Sequence, residues 1–398
     1  MAQRGLTSLG ARQSPARAGL LAVIGLALGL GGDHDAGQQS VDAALELAEA
    51  AEDRLIQARV LKAAALLRWA YFQFEQAVDI GLRASALFKE AGALWDYCDV
   101  MVFVQISLHG LGRWDEAAEI DAEVDPLAAQ LGNHFVSMVC RRERASRERN
   151  RQPDLGRYEA FTRADLDVTR RTGMGWIAAS YMFLALADFW RGRWTESLEN
   201  AHTATSLEPP GVVALWSRSA ELLVTAYAGD PSEARRMFRD LSAQLPSAGQ
   251  TASLSGWMLV FSAVEALVVL GERAEAAALH PLILEAIEMG TVVDGYGGDI
   301  QGRLLQTLAG MAAGAGGRWD KAETHFRQAL HQAETLGLRM ERPDLLRFYA
   351  GMLFERGRPE DQPRIRQFLH EATETYQALS MPRHEQMCTR LLDALAQR

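Results

Sequence analysis

Gly112-Arg113-Trp114-Asp115-Glu116-Ala117 decides how this chain folds, because it returns twice almost unchanged. The copies are Gly192-Arg193-Trp194-Thr195-Glu196-Ser197 and Gly317-Arg318-Trp319-Asp320-Lys321-Ala322, with a looser one at Gly156-Arg157-Tyr158-Glu159-Ala160. Degenerate forms stand at Gly32-Asp33-His34-Asp35-Ala36, Phe72-Gln73-Phe74-Glu75-Gln76-Ala77, Gly229-Asp230-Pro231-Ser232-Glu233-Ala234, Gly271-Glu272-Arg273-Ala274-Glu275-Ala276 and Gly357-Arg358-Pro359. Each copy lies between two helix-like segments. The glycine is suited to ending the first helix in a left-handed C-cap, and the aromatic to filling the wedge between helices. The acidic residue falls in the first turn of the second helix, where the helix dipole favours it. Turns recurring at roughly 36 to 46 residues predict an array of helical hairpins.

The flanking segments carry two kinds of pattern. From Trp319 to Leu336, Ala322, Phe326, Ala329, Ala333 and Leu336 step along one stripe, and Glu323, Thr324, Arg327, Gln328, His331 and Glu334 face away from it. Ala117, Val124, Leu127, Ala128 and Leu131 repeat this in the third hairpin. First helices are apolar on nearly all sides, as in Trp95–Leu108 and Trp176–Trp190. A helix touching its own partner and both neighbouring hairpins has that composition, so the contrast predicts stacking. Pro126 and Pro281 fall inside second helices and are expected to kink or split them. No period-two strand pattern stands out.

The chain has 398 residues, with 41 Lys plus Arg against 51 Asp plus Glu and a net charge of −10. That balance argues against a general binder of nucleic-acid phosphates. Cys98, Cys140 and Cys388 are three scattered thiols without metal spacing, which fits a reducing cytoplasm and core roles. The apolar run Ala18–Leu30 follows Arg4, Arg12 and Arg17 as a secretion signal would, yet it is shorter than the roughly 20 residues of a membrane helix. A repeat turn comes after it instead of a cleavage site, so Arg17–Leu30 reads as the first helix. Residues 1–16 read as a disordered tail and residues 17–398 as one solenoid, with Arg364–Leu379 and Pro382–Leu395 as closing helices.

Catalytic signatures are missing. The nine histidines form no His-Glu-x-x-His pair, and His325 and His331 fall on nearly opposite helix faces. There is no phosphate-binding Gly-x-x-x-x-Gly-Lys-Ser/Thr loop and no Gly-x-Ser-x-Gly nucleophile elbow; Gly314-Ala315-Gly316-Gly317 runs into a repeat turn. The chain therefore reads as no enzyme, with no cofactor and no metal. Two stretches invite a binding role. Arg144, Arg147 and Arg151 share one helix face and suit an acidic or phosphorylated partner; the rival reading is a solvated face that neutralises Glu123 or Asp125. The glycine-rich connection Gly290–Gly302, with Tyr296, reads either as a lid or docking loop or as an ordinary long connection.

The hairpins resemble tetratricopeptide repeats, in a form longer than the usual 34 residues. Leu28-Gly29-Leu30-Gly31-Gly32-Asp33, Phe189-Trp190-Arg191-Gly192-Arg193-Trp194, Leu207-Glu208-Pro209-Pro210-Gly211 and Met381-Pro382-Arg383-His384-Glu385 resemble the C-terminal repeat region of bacterial multidomain signalling ATPases, which carry an N-terminal cyclase or DNA-binding domain. The resemblance implies an all-α, right-handed superhelical solenoid of about nine hairpins. It also implies a regulatory module that binds a protein or peptide along its concave face; the charge balance and the short apolar run argue against a nucleic-acid or membrane partner, and the cysteines fit the cytoplasm. The cyclase and ATPase domains have no counterpart in these residues, so the chain reads as the tail of a larger protein, as a mis-started reading frame or as a solenoid on its own. The alternative is a sensor enclosing a small effector among Trp176, Trp190 and Trp216.

Overall fold

At Gly112, φ is 73°, and the same left-handed value recurs at Gly192 (77°) and Gly317 (68°). In all three turns the next amide reaches back to the carbonyl five residues earlier: Arg113 to Leu108 at 2.9 Å, Arg193 to Asp188 at 2.9 Å, and Arg318 to Ala313 at 3.0 Å. That bond satisfies a carbonyl which the ending helix leaves open. The arginine carbonyl then receives the first amide of the second helix, from Ala117, Ser197 and Ala322. The tryptophan folds back over the turn. Trp114 and Trp194 donate their indole N–H to the carbonyls of His109 and Phe189, at 2.9 and 3.2 Å.

This computed structural model describes residues 4, 7, 14–50, 53–173, 176–208, 211, 214–294 and 302–398. Its helices are α1 (Pro15–Leu30), α2 (His34–Glu49), α3 (Arg54–Ala70), α4 (Phe74–Glu90), α5 (Leu94–Gly110), α6 (Trp114–Leu131), α7 (His134–Arg151), α8 (Leu155–Thr172), α9 (Ile177–Trp190) and α10 (Trp194–Ser206). They continue with α11 (Trp216–Ala228), α12 (Pro231–Leu241), α13 (Leu254–Leu270), α14 (Arg273–Ala278), α15 (His280–Glu288), α16 (Leu305–Ala315), α17 (Trp319–Leu336), α18 (Arg342–Arg356), α19 (Gln362–Ala378) and α20 (Pro382–Ala396). Extended pairing among the described residues is a single antiparallel bridge between Val293 and Leu304. The fold is an all-α solenoid of helical hairpins.

Two compact units divide the chain, one drawn mainly from residues up to Arg144 and the other mainly from Ala145 onward. In the first, α1 packs on α2, α3 on α4 and α5 on α6, while the first helices α1, α3 and α5 also touch in sequence. The opening hairpin is closest at its glycines: a Cβ on Gly25 would lie 2.7 Å from the Gly37 carbonyl oxygen. In the second unit α9 packs on α10, α11 on α12, α16 on α17 and α18 on α19, with first-helix contacts α9–α11, α16–α18 and α18–α20. That pattern is what the all-round apolar first helices require. Ala322, Phe326, Ala329 and Ala333 are buried along α17 while Thr324, Arg327, Gln328, His331 and Glu334 are exposed. Burying Phe326 alone contributes about 1.5–3 kcal/mol.

Several expectations change in detail. The first helix starts at Pro15, behind an Ser14 N-cap, two residues before Arg17. Gly156 makes no turn: Asp154 caps α8 by accepting from the Arg157 amide at 2.9 Å, which leaves Gly156 inside the first helical turn. Tyr158 still takes the aromatic role, buried 5.9 Å from the Trp190 ring. In the copy at Phe72 the phenylalanine itself adopts the left-handed φ, 63°. Gly229 is extended rather than left-handed. Pro126 does not split α6, which runs on to Leu131, whereas Pro281 sits at the start of α15 just after the break at Leu279. Trp95, at the solvent end of α5, is 50% exposed. Pro209-Pro210 and Tyr296 lie outside the described residues.

Candidate binding cleft

The first helices of the second unit meet at a cleft of about 330 Å³. Val268 of α13, Met311 of α16, Phe348 and Met352 of α18, and Met387 and Leu391 of α20 supply an apolar lining, and Trp319 of α17 joins it. Three methionines among these residues give a wall that adapts to the shape of what enters. Two arginines provide charge. Arg273 donates to Glu355 at 2.7 Å and to the carbonyls of Ala315 and Gly314, closing the C-terminal end of α16. Arg347 lies over the Phe348 ring, 4.1 Å from its centroid, with its side chain 10% exposed.

Arg347 is held from behind. It donates to Asp344 at 2.9 Å, to the Tyr227 hydroxyl at 3.1 Å and to the Tyr376 hydroxyl at 3.2 Å. Asp344 also accepts from Tyr376 at 2.6 Å and from Arg303 at 3.1 Å. Arg303 continues the network with two 2.8 Å bonds to Glu265 and one of 2.6 Å to Glu341, which in turn accepts from Thr307. Tyr227 donates to Glu265 at 2.6 Å. Tyr227–Glu265, Glu265–Arg303 and Arg303–Glu341 are each 38 residues apart, so these four side chains form a ladder with one rung per hairpin.

Burial and pairing set the charges of this network. Burial raises Glu341 to about 7 against the pull of Arg303, and it does the same to Asp294. Asp344 is buried too, but Arg303 and Arg347 outweigh that and hold it well below the usual carboxylate range. Asp294 accepts from the Arg303 amide at 2.6 Å and donates its own amide to the Arg303 carbonyl, which ties the two ends of the glycine-rich connection together. The chemistry offered is rigid presentation: one guanidinium on an aromatic ring, fixed by buried acids and phenols, beside an adaptable apolar wall.

The arginines singled out from sequence lie elsewhere. Arg144 belongs to the first unit and is bound by Asp121 through two bonds of 2.8 and 2.9 Å and by Asp125 at 2.8 Å. Asp121 is 2% exposed, a charge set within the stripe of α6. Arg147 and Arg151 belong to the second unit, where Arg151 donates to the Leu336 carbonyl at 3.1 Å. Their neighbour Arg149 is buried over the Trp190 ring at 4.7 Å. Trp176 and Phe183 each pack edge-on against Trp216, and Trp190 against Tyr158, so rings meet rings in that interior. Cys98, Cys140 and Cys388 are buried and free, and burial raises the Cys98 and Cys388 thiols to about 11.

Sequence reasoning missed Glu265, Arg303, Asp344 and Arg347. One signal was present: Glu265 is the only charge in the apolar run Leu254–Leu270.

Fold and cleft define a class of protein: a helical-hairpin array whose first helices are offered as a surface. No family model matches the chain, and no curated protein does. Among solved structures, the crystal structure of yeast Tom70 is similar over 96% of this chain and 84% of that one, at 14% identity and a TM-score of 0.34. The fold rests on the helices described above. No helix among the described residues is long and apolar enough to cross a membrane.

Proposed function

We propose that this chain is a non-catalytic protein-interaction module that docks a peptide segment of a partner in the cleft of the second unit. The observation that supports it is the lining: successive first helices α13, α16 and α18, with α20, contribute Val268, Met311, Met352 and Met387 around the fixed guanidinium of Arg347. Apolar anchors beside one preorganised arginine are the composition of interface hot spots. The module is read as one array over residues 17–398, acting in the cytoplasm as the regulatory part of a signalling ATPase or cyclase system.

Two half-exposed positions test the cleft without threatening the fold. Peptides selected on the wild-type chain from a displayed library are expected to bind Val268→Asp and Met387→Asp at least about tenfold more weakly, and Val23→Asp, on α1, with unchanged affinity. Equal binding to the wild type and both cleft variants overturns the reading. The regulatory assignment is tested separately by the native size in cell lysate: a species much larger than 398 residues supports attachment to a catalytic partner, and one of that size a free-standing module.

A further inference from the structure

His280, at the start of α15, and His325, on α17, place their rings 5.5 Å apart at an interplanar angle of 69°. His280 is 3% exposed, and its Nε2 has no hydrogen-bond partner. A buried ring nitrogen without a partner costs free energy unless something is meant to meet it. Arg318 adds a second such group: its Nε is buried without a partner, and Nη2 makes only a 3.4 Å contact to the Ala277 carbonyl. His325 uses Nδ1 on Gln306 at 2.7 Å, which leaves Nε2.

The local charge is one-sided. The charged groups acting on His280 are Arg318, His325 and Lys321, and those acting on His325 are Arg318 and Lys321. Burial first, and these cations second, press both rings downward, His280 to about 4. In a chain of net charge −10, this corner gathers two cations and two imidazoles. It opens outward at Lys321, which is exposed, and at His325, which is half-buried.

We propose that His280, Arg318, Lys321 and His325 form a site for a tetrahedral oxyanion, a phosphate either free or carried as a monoester. Arg318 supplies the charged N–H donors, Lys321 the entry charge, and each histidine a ring nitrogen that takes a proton as the anion arrives. The anion thereby supplies the negative charge that makes two adjacent imidazoliums tolerable, and its binding strengthens as pH falls. This proposal is independent of the peptide cleft.

The test follows the histidine ring resonances of the full chain during titration with sodium phosphate at pH 6.5, against sodium chloride at matched ionic strength. Phosphate is expected to move the His280 and His325 signals along one saturable curve and to raise the titration midpoint of His280 by about two pH units or more, enough for the bound ring to take up a proton at pH 6.5. Arg318→Gln is expected to weaken binding about tenfold and Lys321→Gln about threefold, while Arg327→Gln, exposed on the same helix, leaves it unchanged. Lys321→Gln guards against loss of fold, since its side chain is exposed. O-phosphoserine in a parallel titration separates the sources: binding of both ligands assigns a monoester site, binding of inorganic phosphate alone a free-phosphate site. No saturable shift beyond chloride with either ligand, or wild-type affinity in both Arg318→Gln and Lys321→Gln, overturns the proposal.

Discussion

Arg303 and Glu265 face each other through two parallel hydrogen bonds of 2.8 Å, with both side chains no more than 3% exposed. Arg273 and Glu355, in the same unit, meet at 2.7 Å with side chains 46% and 52% exposed. The distances barely differ, so burial decides what each pair contributes. Removing Glu265 takes two bonds from a guanidinium that has no water to replace them, leaving it Glu341 and Asp344, and takes the acceptor from the Tyr227 hydroxyl. Removing Glu355 leaves Arg273 half in solvent and still bonded to the Ala315 and Gly314 carbonyls. Glu265→Ala is expected to lower the unfolding free energy by about 3–5 kcal/mol, and Glu355→Ala by about 0–1 kcal/mol, by denaturant titration of the full chain. Similar losses in the two variants would mean that the buried ladder does not hold the hairpins together.

The turn glycines allow a paired test of position. Gly317 has φ 68°, and a Cβ there would meet only the Trp319 ring, at an ordinary contact of 4.0 Å, so a side chain meets backbone strain and little else. Gly317→Ala is expected to cost about 1–2 kcal/mol. Gly156 carries the same repeat letters but sits exposed within α8, where alanine is the better helix former. Gly156→Ala is expected to stabilise by about 0.5–1 kcal/mol. Opposite signs in thermal unfolding would separate the two sites; a shared sign would put Gly156 back in a turn.

The hairpins were legible because each turn is a local event. A glycine at left-handed φ, a backbone cap and an indole closing over the preceding carbonyl need only ten consecutive residues, as at Leu108–Ala117. Gly156 misled because a better cap, Asp154, lies two residues before it and starts the helix early. Phe72 shows the reverse: the turn geometry survives without glycine because the ring is fully buried against Phe74, at 4.6 Å. The ladder was not legible as a motif, since its members come together only when hairpins stack. Its 38-residue interval equals one repeat, so reading charged positions one repeat apart would have paired Glu265 with Arg303 and Arg303 with Glu341. The engagement of Arg144 by Asp125 was legible as the rival reading of that face, but its second partner was not, because Asp121 sits on the stripe where an apolar residue was expected.

Arg144 gives the third prediction. Its guanidinium satisfies a carboxylate that is 2% exposed, while the arginine side chain itself is 39% exposed and partly screened by water. Arg144→Ala is expected to cost about 1–3 kcal/mol, mainly by taking two charged donor bonds from the buried Asp121 carboxylate. Arg144→Lys has no fork to match the two carboxylate oxygens and is expected to restore less than half. Unchanged stability in Arg144→Ala, together with lost binding of an acidic peptide, would instead favour a partner-binding arginine.

Glu208 gives a pH dependence whose sign is set by burial. Its side chain is 6% exposed, accepts from the Ser217 amide, and is raised to about 7 because burial outweighs that bond and the half-exposed Arg218 at 4.0 Å. In the unfolded chain the same carboxyl titrates near its ordinary value, 4.5. Between those two values the native state keeps a proton that the unfolded state has released. The stability contributed by Glu208 is therefore complete below about pH 4.5, falls as pH rises, and levels off above about pH 7. Glu208→Gln stays neutral throughout while keeping an oxygen for Ser217. The variant is expected to match the wild type near pH 4.5 and to exceed it at pH 8 by on the order of 2–3 kcal/mol. Denaturant titrations at the two pH values measure the difference directly. The comparison is made between variant and wild type because His280 and His384, both lowered to about 4, add an opposing slope between about pH 4 and 6.5 to both chains equally. A constant gap between the two proteins across this range would mean that the Glu208 carboxyl is ionised in the native state well below pH 7.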